Sequence, residues 1–289
     1  MTTPYQQQHQ PPHPQQHPQA PGPQLGTYTS PIAVRRATFG DALASEWTKI
    51  RSVRSTMWTL GVLIVLLLGL GLLAGFAVRA SNPDMGTTSV LVLGFYGVLL
   101  GQICVITLGV LTIASEYGTG MIRTTLTACP SRARILAAKS VVFFLLAFVI
   151  VTVGTALVAV IQTALVPDAP TPSADEWLRA TVGVGLYVAM IGLLSLAVGA
   201  LIRHSAGSIT IMIGVVLLPL VLALFMFTES LSGVRDFLME YSIPSQLGVF
   251  YGATISETGP SGWDPLWIIT GITAVALGGA FLSLNSRDV

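Results

Sequence analysis

Charged residues are scarce in this sequence: 9% of its 289 positions are Asp, Glu, Lys or Arg. A soluble domain carries roughly a quarter, so the scarcity excludes an ordinary soluble globular fold. Cysteine is nearly absent too. Cys104 in an apolar run and Cys129 in a polar linker offer neither a disulfide framework nor a metal-ligand cluster. HExxH, GxSxG and GxxxxGK[ST] do not occur. The chain therefore carries no zinc-hydrolase helix, no nucleophile elbow and no loop that cradles phosphates. No apolar stretch follows Met1 closely, so no cleaved signal peptide is expected. The interiors of the long apolar runs also lack ionisable residues, Gln102 being the most polar residue at mid-run. Ion-coupled transporters, proton pumps and voltage sensors use such residues as their coupling machinery. Any work this chain does must draw its energy from another polypeptide.

What is present is apolar surface: 52% of residues are hydrophobic and the mean hydropathy is +0.74. Six stretches can cross a bilayer core of about 30 Å as helices, at 57–78, 90–114, 140–166, 179–201, 208–228 and 265–284. The expected fold is an all-α polytopic integral membrane protein with six transmembrane helices, occupying 57–289. Residues 1–36 are Pro/Gln-rich and too poor in aliphatic side chains to offset chain entropy, so a disordered tail is expected there. His9, His13 and His17 recur in it every fourth residue, but the interleaved prolines deny them a common helical face. Residues 37–56 place Phe39, Leu43, Trp47, Ile50 and Val53 at helical spacing. An interfacial amphipathic helix is expected, anchored at the headgroups by Trp47, Lys49, Arg51 and Arg54.

The net charge of +1 hides an asymmetry along the chain. Arg35, Arg36, Lys49, Arg51 and Arg54 precede the first span; Arg123, Arg132, Arg134 and Lys139 lie between the second and third; Arg203 follows the fourth and Arg287 the sixth. The other side holds only Arg79, Arg179 and Arg235, and collects Asp84, Asp168, Asp175, Glu176, Glu229, Asp236, Glu240, Glu257 and Asp264. Lys and Arg concentrate in cytoplasmic loops, so both termini are expected in the cytoplasm, with the chain in the cell (plasma) membrane. Membrane lipid is an expected partner and nucleic acid is not.

The most polar linker, Ser115 to Ser140, separates the second and third spans. A short helix is expected from Glu116 to about Ala128, stopped by Cys129-Pro130, with Ser131 capping the helix that enters the third span. Seven residues apart, Glu116 and Arg123 would share one face, while Met121, Ile122, Thr125 and Leu126 form a mildly apolar patch on another. Such an element suits docking into a groove on a soluble partner. The plainer alternative is a positive-inside topology loop.

The run Glu116-Tyr117-Gly118-Thr119-Gly120-Met121-Ile122-Arg123, followed by Thr124-Thr125-Leu126, Pro130, Arg132, Arg134 and Lys139, resembles E-[FY]-x-x-G-[TM]-[IL] and its basic sequel in permease subunits of type-2 ATP-binding-cassette (ABC) exporters. Ser45-Glu46-Trp47-Thr48-Lys49 with Arg51 and Arg54 is similar to the entry helix of those permeases, and Tyr241-Ser242-Ile243-Pro244-Ser245 to their outer segment before the last span. The resemblance implies a six-span subunit that pairs with a second copy or a related permease and with cytoplasmic ABC ATPase subunits. ATP and magnesium would bind those ATPases, with no cofactor on this chain. It also implies that the linker is the ATPase-coupling helix: Glu116 and Tyr117 mark its membrane boundary, Gly120 permits tight packing, and Met121, Ile122 and Arg123 face the ATPase. Gly118 departs from the pattern, since many relatives carry a basic residue there. The alternative function is a non-transport scaffold or regulator whose linker recruits a cytosolic partner. An apolar, charge-free lining fits amphipathic drugs, peptide antibiotics and lipids alike.

Three further features carry expectations. Gly71 with Gly75, Gly97 with Gly101, and Ser195 with Gly199 are small-xxx-small pairs that let helices approach closely, more often within a subunit than between subunits. Pro219 interrupts one intrahelical bond of the fifth span. Leu231, Val234, Phe237, Leu238 and Tyr241 predict a short amphipathic helix before the sixth span, ended by Pro244.

Overall fold

The computed structural model describes residues 37–81, 85–128, 131–253 and 259–286. The tail expected at 1–36 and the break expected at Cys129-Pro130 lie outside these residues. Among the described residues every regular element is helical, and six helical stretches are long and apolar enough to cross a membrane. A chain in hydrocarbon must satisfy its backbone polar groups internally, which is the reason for helices throughout.

The first helix, α1 (Phe39–Ser52), opens with a capping box: the Thr38 hydroxyl accepts from the Asp41 N–H, and the Asp41 carboxylate accepts from the Thr38 N–H. Lys49 and Arg51 in its last turn complement the helix dipole. Val53 is extended and separates α1 from the first crossing, α2 (Arg54–Ser81). A 3₁₀ turn at Val90–Gly94 leads into α3 (Phe95–Gly118), and two residues later comes the short α4 (Met121–Ala128). Ser131 caps α5 (Arg132–Leu165), its hydroxyl accepting from the Arg134 N–H. The fourth crossing is built from α6 (Ala174–Leu178), a π-helical turn at Arg179–Gly183 and α7 (Val184–Ile202). Then follow α8 (Ser205–Leu224), helical through Pro219, and α9 (Ser232–Glu240), α10 (Ile243–Val249) and α11 (Asp264–Ser286).

The fourth crossing is the hub. Of its most apolar stretch 72% is buried, against at most 50% for any other crossing, and α7 packs on α3, α5, α8 and α11. Its contact with α3 is close because Gly109 faces Gly192: a Cβ on Gly109 would collide with the Gly192 carbonyl oxygen. The three small-residue pairs likewise serve helix contacts within the chain. Gly71 and Gly75 abut Val158 and Gln162 of α5, Gly97 and Gly101 abut Leu67 of α2, and Gly199 abuts Val110 of α3. Gln162 adds a buried hydrogen bond, donating to the Gly71 carbonyl at 2.8 Å.

Two helix boundaries differ from the sequence expectation. The second crossing does not stop before Glu116; α3 runs on to Gly118, so no helix spans Glu116 to Ala128. The third-crossing helix starts at Arg132, behind the Ser131 cap, as expected. The extension of α3 has a local cause: Glu116, which bounds its apolar run, is paired with Lys139 inside the protein and gives the helix no reason to end. Finally, α9 forms as expected but ends at Glu240, and Pro244 sits in the first turn of α10. There its missing N–H has no helical partner to lose.

The two ends of the described chain meet on one face. Arg132 donates to the Leu284 carbonyl near the end of α11, and Arg134 donates to the Ala37 carbonyl ahead of α1 at 2.6 Å. This face also carries α4.

Candidate functional site

Four charged side chains from three helices converge just behind α4. Glu46 and Lys49 stand three residues apart on α1, which brings them side by side. Glu116 comes from the last turn of α3, and Lys139 from α5. The Lys139 ammonium donates to Glu46 Oε2 at 2.8 Å, to Glu116 Oε1 at 2.6 Å and to the Thr112 carbonyl at 3.2 Å. Lys49 donates to Glu46 Oε1 and Glu116 Oε1, both at 2.9 Å. Each cation therefore touches both anions.

This alternation is what makes burial tolerable. The Lys139 side chain is 1% exposed, Glu46 6% and Glu116 7%, and an isolated charge at such depth would be strongly disfavoured. Lys49 is the outermost member. Burial pulls its pKa down, but the hydrogen bonds and charges of Glu46 and Glu116 outweigh burial and hold it above the ordinary lysine value. Glu116 Oε2 is buried and has no hydrogen-bond partner, so the cluster is closed on all but one atom.

The cluster reaches α4 through the turn that separates it from α3. Gly120 has φ +72, the left-handed region open to glycine, and an added Cβ there would meet nothing within 4 Å. Within the chain it turns the backbone and no neighbouring side chain or backbone packs against it. Lys49 also makes a long contact to Thr125 Oγ1 of α4, at 3.5 Å. Thus α1, α3, α4 and α5 share one ionic junction.

The residues singled out in the sequence fall into separate places. Glu116 and Arg123 do not share a face: Glu116 is buried in the junction and Arg123 is exposed on α4, because the turn at Gly120 breaks the helix between them. Ile122 is buried, while Met121 is 47% exposed and Arg123 is exposed as well. Tyr117 lies half-buried with the Arg203 guanidinium 5.0 Å above its ring. Of the four residues expected to anchor α1 at the headgroups, Trp47, Arg51 and Arg54 are exposed, and Lys49 is turned into the junction.

Glu46 and Lys139 were not singled out by sequence reasoning as site residues. The signal for them was two opposite charges, Glu116 and Lys139, bounding successive apolar runs that enter the membrane from the same linker, with a Glu-x-x-Lys pair on the helix just upstream.

The chain is thus a six-helix membrane domain with an amphipathic entry helix and a short loop helix beside a buried ionic junction. Residues 42–219 match the family described as ABC-2 family transporter protein. That match spans more than half of the chain, and the protein belongs to this family. It is a multi-pass membrane protein and an ABC-type transport permease. No curated protein matches the chain.

Proposed function

We propose that the chain is the membrane-spanning subunit of an ABC exporter, driven by a separate ATP-hydrolysing subunit that docks on α4. The observation that carries this reading is the division of α4 into two sides. Ile122 faces inward and Thr125 contacts Lys49 of the ionic junction, while Met121 and Arg123 remain open to a partner. A push on α4 would pass through Lys49 and Glu116 into α1, α3 and α5 together. The face bearing α4 and both described chain ends would be cytoplasmic, in the cell membrane, as the Lys and Arg distribution supports. A second copy or a related permease would complete the pathway, and ATP with magnesium would be held by the ATPase. Co-expression with a candidate ABC ATPase and reconstitution into vesicles tests this. Binding that depends on Arg123, with substrate-stimulated ATP hydrolysis, is the expected result. Binding without any transport or stimulation would instead identify a scaffold.

A further inference from the structure

An apolar groove of about 500 Å³ lies between α1 and α5, walled by Leu43, Ala44 and Trp47 on one side and by α5 from Val141 to Ile150 on the other. The α5 wall is about 13 Å long at the helical rise. The volume lies within the range of about 300–1,000 Å³ typical of small-molecule sites. Its side is open, with Val141 40%, Leu145 52% and Val149 52% exposed.

What separates this groove from the remaining lipid-facing surface is the charge that follows it on α1. Glu46 and Lys49 are committed to the ionic junction, and Asp41 serves the capping box. Arg51 and Arg54 are exposed and pair with no carboxylate among the described residues. Arg51 follows Trp47 by four residues and so continues the same face of α1 one turn further, about 6 Å along the axis. On the groove-facing side of α1 the indole that lines the groove is thus followed, one turn on, by an exposed guanidinium without a carboxylate partner among the described residues. Tryptophan favours that level of a membrane, and guanidinium suits the oxygens of a phosphate.

We infer that the groove between α1 and α5 is a selective site for an anionic phospholipid, one acyl chain lying against Trp47 and Val141–Ile150 and the phosphate on Arg51. The lipid would press on a different side of α1 from the ionic junction, so membrane composition would set how firmly α1 is seated. The inference requires a membrane environment and is independent of any ATPase.

The test uses the full chain with Trp58, Trp177, Trp263 and Trp267 replaced by phenylalanine, reconstituted in phosphatidylcholine. Phosphatidylglycerol brominated on its acyl chains should quench Trp47 much more strongly than brominated phosphatidylcholine at the same mole fraction. Arg51→Gln should erase the difference between headgroups, and Ala44→Phe, which fills the groove, should weaken quenching by both. Native mass spectrometry of the unmodified chain, offered both lipids in equal amounts, asks the same without tryptophan replacement. Retention of phosphatidylglycerol should exceed that of phosphatidylcholine by about tenfold, the effect of one charged hydrogen bond, and the excess should vanish in Arg51→Gln. Equal quenching and equal retention would make the groove ordinary lipid contact and overturn the inference. Absence of quenching by either lipid would show it covered by protein, such as a second copy, and would overturn it too.

Discussion

Lys139 is held by two carboxylates and a carbonyl at a depth where water cannot replace them. Lys139→Met leaves Glu46 and Glu116 facing each other with Lys49 alone between them. Breaking a buried pair in this way costs about 3–5 kcal/mol, so thermal unfolding in detergent should occur well below the parent's midpoint. Lys49→Met should cost less, because that side chain is 27% exposed. Its consequence should be visible in pH dependence. The folded-state pKa of Lys49 is raised, so its stabilisation is complete below the ordinary lysine value of about 10.4 and disappears as pH rises through the raised value. Unfolding midpoints measured across that alkaline window should fall in the parent and show no such step in Lys49→Met. Gly120 makes a separate prediction. Any side chain there must occupy the left-handed region, at about 1–2 kcal/mol. Gly120→Ala should therefore misplace α4 and lose transport at normal membrane levels. Gly118→Ala, in open space with no positive φ, should transport as the parent does.

Among the elements, α4 is where structural and docking roles can be told apart. Arg123→Glu changes an exposed charge and should abolish ATPase binding with no shift in unfolding temperature. Glu116→Ala opens the junction and should lower both; parallel effects of the two substitutions on stability would contradict the division of α4 into an inner and an outer side. Much of the element pattern was legible in the sequence. Length and hydropathy located all six crossings, and the spacing of Phe39, Leu43, Trp47 and Ile50 located α1. The end of α3 was not, because apolar runs end where polar residues begin, whereas helices end where backbone bonds run out; Glu116 continues α3 instead of starting the next helix. The site was legible in part. Glu116 was singled out, but Glu46 and Lys139, which complete its junction, stand 70 and 23 residues from it in sequence and join it only through packing of α1 and α5. A periodicity argument within the linker paired it with Arg123 instead.

Orientation and energy source are properties of the whole molecule. In a variant lacking Cys104 and Cys129, a cysteine at Ser173, the N-cap of α6, should react with an impermeant thiol reagent from outside the cell, and one at Ser286 should not. The reverse pattern would invert the proposed topology. The purified chain should hydrolyse no ATP until an ATPase subunit is added. Activity that survives rigorous removal of partner subunits would overturn the assignment of work to another polypeptide. The ionic junction has one further consequence for a membrane at work. Glu46, Lys49, Glu116 and Lys139 carry two positive and two negative charges and sum to zero. An electric potential contributes about 2.3 kcal/mol per elementary charge moved through 100 mV, so a rigid displacement of the four together gains and loses nothing from it. A stroke delivered through this junction is electrically silent, and transport should run at the same rate in polarised and depolarised vesicles.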